Sequence, residues 1–326
     1  MRATDEILTA LRQAAGGEVS SRALCDRLGV SRAAIWKRIE ALRGLGYGIS
    51  ASPRRGYRLE SVPDLPHAAE VLPLLSTRRI GRDCRYVAET GSTNRDAAVL
   101  AQAGAEEGLV VTAGSQHAGR GRMTRVWFSP AGVNLYFSLV LRPAVEPLRA
   151  ASLPLVAGLA VAEAVADLAP ELQPAVKWPN DILVAGRKLC GILCEMQAEI
   201  DCVRHIVLGV GVNVNLERAS LPEEIRSRAT SLRMACGRSF SRAAVLAAIL
   251  NHFEPLYDQW LRKGLEPLIT RLDARDALRG RMITLESGGG QTLRGRADGI
   301  QADGALRLVT ERGPVTLYSG ETHIGT

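Results

Sequence analysis

Glycine and arginine alternate in one short segment of the chain, Gly119 to Arg122, just before an apolar, strand-like run. Glycine lets backbone N–H groups approach a bound anion closely, and arginine presents a forked set of donors that suits phosphate or carboxylate. A solvated basic surface loop is the alternative, but such a loop has no need of glycines beside its arginines. The segment therefore predicts an anion-binding loop. It is not a Walker A loop, because GxxxxGK[ST] does not occur in the sequence.

A second segment carries opposite charges on two predicted strands. KWPNDI and GRKLCGILCE read as strands joined by a turn at Ala185-Gly186. Lys188 stands near the head of an otherwise apolar strand, where a buried amine needs a partner charge. Asp181 could supply that charge, or the Lys188 side chain could extend to solvent. The pattern alone leaves both interpretations open.

Three further segments are rich in small polar side chains: ETGSTN at residues 89–94, TAGSQ at 112–116 and LGVGVNVNL at 208–216. A Ser/Thr/Asn cluster before a helical pattern is most often a helix cap. It can also surround the head of a neutral polar ligand. Asn213 and Asn215 occupy alternate positions of a predicted strand, so we expect both side chains on one face of it.

The elements at the N-terminus predict a helix-turn-helix with a wing. Apolar residues at helical spacing cover residues 3–15, and Gly16-Gly17 ends that helix. A helix at Ser21–Leu28, a turn at Gly29 and a second helix at Ser31–Leu42 follow, and two short strands flank residues 53–56. Ser31 has the side chain of a good N-cap.

Charge favours DNA as the partner of this module. Residues 1–60 hold 11 Lys/Arg against 6 Asp/Glu, so +5 of the total net charge of +7 lies there. Ala34, Ile35, Ile39 and Leu42 fit one face of the second helix, which leaves Arg32, Trp36, Lys37 and Arg43 to face outward. A small helical packing module with a solvated basic face is the alternative. The candidate DNA-binding residues are Ser31, Arg32, Lys37, Arg54 and Arg55.

The remaining chain divides into two predicted domains. A proline-rich linker covers residues 61–75, and strands alternate with helices from about 80 to 270, the longest helices being Leu148–Leu168 and Ser241–Lys263. From about residue 280, short alternating strands with Gly-rich turns predict a small β-barrel. The predicted domains are 1–62, 63–275 and 276–326.

Composition indicates a globular protein of two or three domains. No apolar run approaches the roughly 20 residues that a membrane helix needs, and the N-terminus does not resemble a signal peptide. The six cysteines form no CxxC pair, which favours reduced thiols over disulfides or a zinc site. We therefore expect a cytoplasmic location, no membrane partner and no protein metal site.

The order and spacing of these motifs resemble the biotin–protein ligases. The resemblance is carried by STN, GSQHAGRGR, WFSPAGVNLYFS, KWPNDI, RKLCGILCE and GVGVNVN, and it runs from about residue 20 to 323. SRAAIWKRIEAL resembles the second helix of the bifunctional members, which also repress biotin synthesis. The resemblance implies an α+β fold: an N-terminal winged helix-turn-helix, a central mixed-sheet domain similar to class II aminoacyl-tRNA synthetases, and a C-terminal SH3-like barrel.

The resemblance also implies a reaction and its partners. Biotin and ATP with Mg²⁺ give biotinyl-5′-AMP and pyrophosphate, and the biotinyl group then passes to one lysine of a carboxylase's biotin carboxyl carrier domain. Operator DNA and a homodimer formed on biotinyl-AMP binding are the further partners that the resemblance implies.

The resemblance assigns roles to residues of this chain. Lys188 would contact the biotin carboxylate and the α-phosphate, Asp181 would orient Lys188 or accept from the incoming lysine, and Arg122 would hold the adenylate. Those three are the catalytic candidates. The ligand-binding candidates for biotin or biotinyl-AMP are Ser92, Thr93, Asn94, Gln116, Gly119, Arg120, Gly121, Arg122, Trp127, Asn180, Lys188, Gly191 and Asn213.

One segment departs from the family, which usually reads GRGRRGRxW where this chain has GRGRMTRVW. Met123 and Thr124 replace an arginine and a glycine, a change that bears on loop closure and adenylate retention. Two other functions are alternatives to the ligase. A biotin-sensing transcription factor without ligase activity would need none of Arg120, Arg122, Asp181 and Lys188, and a lipoate ligase would lack the winged helix.

Overall fold

The computed structural model describes residues 3–123, 125–200, 202–286 and 292–324. Three helices open the chain, α1 (Ala3–Gln13), α2 (Ser21–Leu28) and α3 (Arg32–Gly44). An antiparallel hairpin follows, β1 (Gly48–Ser52) and β2 (Gly56–Ser61). Ile7, Leu24, Ile35 and Tyr47 lie in the separate apolar core of this part. The predicted winged helix-turn-helix is confirmed.

Local signals set the ends of α2 and α3. Ser31 Oγ accepts a hydrogen bond from the Ala34 N–H at 3.3 Å and caps α3. Gly29 ends α2 in the left-handed region at φ 63°. The prediction that Arg43 faces outward is wrong. Its guanidinium donates to the Ile49 carbonyl at 2.6 and 2.9 Å and pairs with Glu40, because β1 folds back against the end of α3.

The central part is built on a seven-stranded mixed sheet. Its strands are β3 (Cys84–Thr90), β4 (Val110–Gln116), β5 (Leu135–Leu141), β6 (Ala175–Lys177), β7 (Asp181–Val184), β8 (Arg187–Ala198) and β9 (Val203–Val212). They lie in the order β3-β4-β5-β9-β8-β7-β6, and β3 and β4 pair in parallel while the other neighbours are antiparallel. Because β8 and β9 are central, their residues can form the floor of a site.

Helices surround this sheet. They are α4 (Ala68–Val71), α5 (Thr93–Gln102), α6 (Pro147–Ala150), α7 (Leu153–Leu168), α8 (Glu223–Arg226), α9 (Leu232–Cys236), α10 (Arg242–Lys263) and α11 (Ile269–Asp273). Helices α7 and α10 pack together in the main apolar core, where Trp260 and Leu159 are fully buried. The helix predicted at Ser241–Lys263 is confirmed, with Ser241 as its N-cap.

The helix predicted at Leu148–Leu168 is two helices, because the chain turns at Ala151 and Ser152.

The expectation about membrane-length segments also needs correction. Within the described residues, Pro147–Leu168 is long and apolar enough to cross a membrane by length and composition alone. However, 67% of its window is buried inside the protein. A core helix has the same composition, and its apolar face is here covered by protein.

The C-terminal part is a five-stranded antiparallel sheet in the order β13-β12-β11-β10-β14. Its strands are β10 (Met282–Glu286), β11 (Thr292–Ile300), β12 (Leu306–Thr310), β13 (Gly313–Leu317) and β14 (Glu321–Ile324). Trp178 Nε1 donates to the Gly304 carbonyl at 3.0 Å, and Thr322 Oγ1 donates to the Trp178 carbonyl at 3.1 Å. The small sheet therefore packs directly against the segment that contains KWPND. The predicted three-part α+β architecture is confirmed, whereas the boundaries at 62 and 275 stay predictions.

Candidate active site

Paired glycines on the two central strands form a flat floor. Gly191 of β8 faces Gly211 of β9 in the sheet register, and the Trp127 indole lies over both. A Cβ atom on Gly211 would lie 2.5 Å from Trp127 Nε1, and one on Gly191 would lie 2.9 Å from Trp127 Cζ3. Any larger residue would clash with the ring. The two glycines therefore let the Trp127 ring pack flat against the strands. Trp127 Nε1 is buried there with no hydrogen-bond partner among the described residues.

Polar side chains line the floor at the start of α5. Ser92, Thr93 and Asn94 are each buried there. Gln116 Oε1 accepts from the Thr93 N–H at 2.9 Å, so β4 supplies the cap of α5 while the Ser92 hydroxyl makes no capping bond. Asn94 fits only because Gly209 has no side chain, since a Cβ there would lie 2.0 Å from Asn94 Oδ1. The structure brings these four candidates together.

The glycine–arginine loop is folded back on itself as a hairpin beside the floor. Gly121 N–H donates to the Arg125 carbonyl at 2.7 Å, and Trp127 N–H donates to the Gly119 carbonyl at 2.9 Å. Gly119 has to be glycine, because a Cβ would lie 2.6 Å from the Trp127 carbonyl oxygen. Met123 sits at the hairpin tip with φ 53°, and Thr124 lies outside the described residues.

The arginines of this loop point to different partners. Arg120 forms an ion pair with Glu195 of β8 at 2.9 Å and is half exposed. The Arg122 guanidinium lies 3.4 Å from Asn180 Oδ1, and burial lowers its pKa, opposed by the carboxylates of Asp181 and Glu321. Among the described residues this partly buried guanidinium makes one long side-chain hydrogen bond, which leaves donors for an anion.

Lys188 and Asp181 form the predicted ion pair, with Lys188 Nζ 2.6 Å from Asp181 Oδ1. The turn at Ala185 and Gly186 has positive φ at both residues, 49° and 74°, as a two-residue hairpin turn requires. A β-bulge close to this turn shifts the pairing of β7 with β8. Leu183 is paired with Lys188, whereas Ile182 is paired with Cys190. Lys188 Nζ also lies 5.4 Å from the centre of the Trp127 ring.

Two ionisable side chains that the sequence patterns did not select, Lys177 and Glu195, also lie in the site. Lys177 is paired in register with Asp181, and burial lowers the pKa of its amine, while Asp181 acts in the opposite direction. Glu195 contacts both Asn94 and Arg120. The signal for Glu195 was its position in GILCE, an acid among apolar strand residues.

The expectation that Asn213 and Asn215 share a strand face is wrong, because β9 ends at Val212. Asn213 Nδ2 donates to the Thr230 carbonyl at 2.9 Å, and its Oδ1 accepts from Asn134 at 3.2 Å. Asn215 Nδ2 donates to the Phe240 carbonyl. Both side chains tie loops together, and both polar atoms of the Asn213 amide are used in doing so.

Cysteines and metal-binding groups contribute little here. All six cysteines are free thiols, and burial raises the pKa of Cys194 to about 12 and that of Cys190 further. Both therefore stay protonated at neutral pH. Residues 3–123, 125–200, 202–286 and 292–324 contain no group of three or more His, Cys, Asp or Glu side chains that could hold a metal ion.

The candidate DNA-binding residues lie together on the first part of the protein. Arg32 and Lys37 are exposed on α3, and Trp36 between them is 58% exposed. Arg54 and Arg55 are exposed at the tip of the β1–β2 hairpin, Arg54 with φ 68°. Ser31, in contrast, uses its hydroxyl to cap α3.

Comparisons with known proteins agree with this arrangement. Residues 86–213 match the biotin/lipoate A/B protein ligase family, residues 4–58 match an HTH domain, and residues 279–322 match the biotin protein ligase C terminal domain. The biotin protein ligase of Aquifex aeolicus, solved in complex with biotin and ATP, superposes with a TM-score of 0.65 and 29% identity, covering 75% of this chain and 99% of that one. The fold is that of a biotin protein ligase.

Full-length relatives refine this class. The bifunctional ligase/repressor BirA of Bacillus spizizenii is 38% identical over the whole of both chains. The protein of the same name from Escherichia coli is 33% identical over 90% of this chain and 89% of its own length. This chain belongs to the bifunctional ligase/repressor family of biotin protein ligases.

Proposed function

We propose that this protein is an ATP-dependent biotin–protein ligase that also acts as a ligand-controlled DNA-binding repressor. The observation that carries the ligase is the Lys188–Asp181 ion pair at the edge of the Gly191–Gly211 floor. A fixed positive charge beside a ring-shaped site suits a carboxylate on a ring-bearing substrate. Biotin would lie beside the Trp127-covered floor, among the polar side chains at the start of α5, with its carboxylate toward Lys188.

ATP would bind beside the biotin carboxylate, with Arg120 and Arg122 on its phosphates. Attack of the biotin carboxylate on the α-phosphate forms the acyl–phosphate bond and releases pyrophosphate. Lys188 would neutralise the negative charge on the α-phosphate oxygens in the transition state. The carrier lysine then attacks the acyl carbon, AMP leaves, and Asp181 accepts a proton from the attacking amine or holds Lys188 in place.

Mg²⁺ would arrive with ATP. Magnesium is commonly held by substrate phosphates and one or two protein oxygens. The oxygens of Asn180 and Asp181 lie beside the loop that would hold the phosphates. Such a site fits the donors of this chain, and the ion would add charge neutralisation at the phosphates.

The partners follow from the two activities. A biotin carboxyl carrier domain would supply the acceptor lysine in the cytoplasm, and operator DNA would bind α3 and the β1–β2 hairpin. We further propose that biotinyl-AMP promotes a homodimer, which would place two DNA-binding modules on one operator.

Mass spectrometry tests the ligase. Purified carrier domain incubated with protein, biotin and ATP should gain the mass of one biotinyl group, and omission of ATP should prevent the gain. No mass shift would leave the alternative, a biotin-sensing transcription factor without ligase activity. A gel-shift assay on the biotin operon promoter, with and without biotin and ATP, separately tests the repressor.

A further inference from the structure

A continuous series of polar contacts links the two ends of the glycine–arginine hairpin around the floor. We name it the polar chain, and its side chains are Ser129, Gln116, Thr93, Ser138, Asn94 and Glu195. At one end Ser129 Oγ donates to the Trp127 carbonyl at 2.9 Å. At the other end Glu195 pairs with Arg120. Both ends therefore belong to the same hairpin.

Glu195 is the charged member of the polar chain. Its Oε2 accepts from Asn94 Nδ2 at 2.7 Å, and its Oε1 lies 2.9 Å from a terminal nitrogen of Arg120. One carboxylate thus holds a buried amide of the floor and a half-exposed guanidinium of the loop. A guanidinium has five N–H donors, so Arg120 keeps most of them while Glu195 holds it.

Asn94 has no other good acceptor for its side-chain amide among the described residues if Glu195 is removed. The Asn94 side chain is wedged against Gly209, and its Oδ1 accepts from Ser138 Oγ at 2.6 Å. Its Nδ2 depends on Glu195, since the remaining contact, to the Leu193 carbonyl, is 3.5 Å long. Loss of the carboxylate would leave a buried donor poorly satisfied, which is costly.

We propose that Glu195 is a positioning residue that sets the biotin-side amide of Asn94 with one oxygen and anchors Arg120 over the adenylate with the other. This inference rests on the proposed ligase function. One oxygen serves the biotin side of the site and the other serves the adenylate side, so two substitutions should separate the two effects. Glu195→Gln keeps an acceptor for Asn94 but removes the charge that holds Arg120. Glu195→Ala removes both.

The expected results differ between biotin affinity and adenylate retention. Glu195→Ala should weaken biotin binding about tenfold, and Glu195→Gln should stay within about threefold of wild type. Both should raise labelling of bystander albumin relative to the carrier by about three- to tenfold, because Arg120 is no longer held. Glu199→Gln is the matched control: Glu199 pairs with Arg204 near the β8–β9 turn, away from the floor, and its loss should change neither quantity.

A double-mutant cycle tests whether Glu195 acts through Arg120. Arg120→Gln should itself raise bystander labelling, and adding Glu195→Gln to it should raise the labelling no further. Additive effects, equal biotin affinities of the two Glu195 variants, or an unchanged labelling ratio in Glu195→Gln would overturn the inference. If wild-type protein still labels the carrier, the proposed ligase function stands even when the inference about Glu195 fails. Failure of the inference can therefore be told apart from failure of the proposed function.

Discussion

Lys188 Nζ and Asp181 Oδ1 lie 2.6 Å apart, although the two residues are seven positions apart along the chain. The Ala185-Gly186 turn brings the two strands together, and the bulge beside Lys188 shifts their register. Asp181 also lies across from Lys177, so one carboxylate stands between two amines. The two amines and one carboxylate together carry one net positive charge at the edge of the floor before any substrate binds.

Lys188→Ala should remove most ligase activity while the fold stays intact. Loss of one electrostatic donor at a developing charge typically lowers the rate by about 10²–10³. The measurement is the rate of biotinyl-AMP formation, with circular dichroism as a check of folding. Arg187→Ala, at the neighbouring position of β8, serves as the control and should remain near the wild-type rate. A near-wild-type rate for Lys188→Ala would refute the assigned role.

Arg122→Gly should still form biotinyl-AMP but release it. The mixed anhydride reacts with any amine, and one charge-assisted hydrogen bond is worth about 1.5–3 kcal/mol. Its loss should speed release by roughly tenfold to a hundredfold. The assay compares biotinylation of added albumin with that of the carrier at equal adenylate synthesis. The resemblance implies another arginine where this chain has Met123, and its absence would make Arg122 more important here.

The control for this experiment is Arg204→Gly, which removes an exposed arginine near the β8–β9 turn. It should leave the albumin-to-carrier ratio unchanged. If Arg122 only stiffens the hairpin, Arg122→Gly should lose synthesis and label no albumin, and Arg122 would then have no part in retention.

DNA binding should fall with salt in proportion to the phosphate contacts. Arg32, Lys37, Arg54 and Arg55 are the expected contacts, and each substitution by alanine should reduce the log–log salt slope by about 1. Arg238→Ala, on the ligase part, is the control. Deletion of residues 1–62 should abolish operator binding. Full-length protein with biotinyl-AMP that shows no DNA affinity at low salt would rule out the repressor.

Glu254→Gln should destabilise the protein at neutral pH and reduce its sensitivity to acid. Burial of Glu254 alone would raise the pKa, but the backbone N–H groups of Ile80, Arg79 and Arg78 donate to the carboxylate and lower the pKa overall. Because the folded-state pKa is lowered, the ionised carboxylate stabilises the folded protein at pH values above the unfolded-state pKa of 4.5. This stability is lost as the pH falls through the folded-state pKa.

Urea unfolding at pH 7 and at pH 3 measures this effect. The expected loss at pH 7 is about 1–3 kcal/mol, and it should shrink at pH 3. Glu224→Gln, an exposed acid on α8, is the control. An equal loss at both pH values would show that shape, and not charge, is what Glu254 contributes.

Local rules in the sequence determined several parts of this protein. The Ser31 cap and the apolar periodicity of Ile35, Ile39 and Leu42 specify α3, because capping and face burial depend on neighbours within a few residues. The Ala185-Gly186 turn likewise specifies the hairpin that carries Asp181 and Lys188. The family motifs, in their order, identified the ligase and its loop.

The tertiary structure decided what depends on residues distant in the sequence. Asn213 follows a strand end and binds Asn134 and Thr230, and no local pattern shows where a strand stops pairing. Glu195 joins Asn94 and Arg120 only because the fold brings β8, the start of α5 and the hairpin together. A side chain's partner across the sheet is set by strand order and register, which the packing of the whole chain fixes and which no segment of it encodes alone.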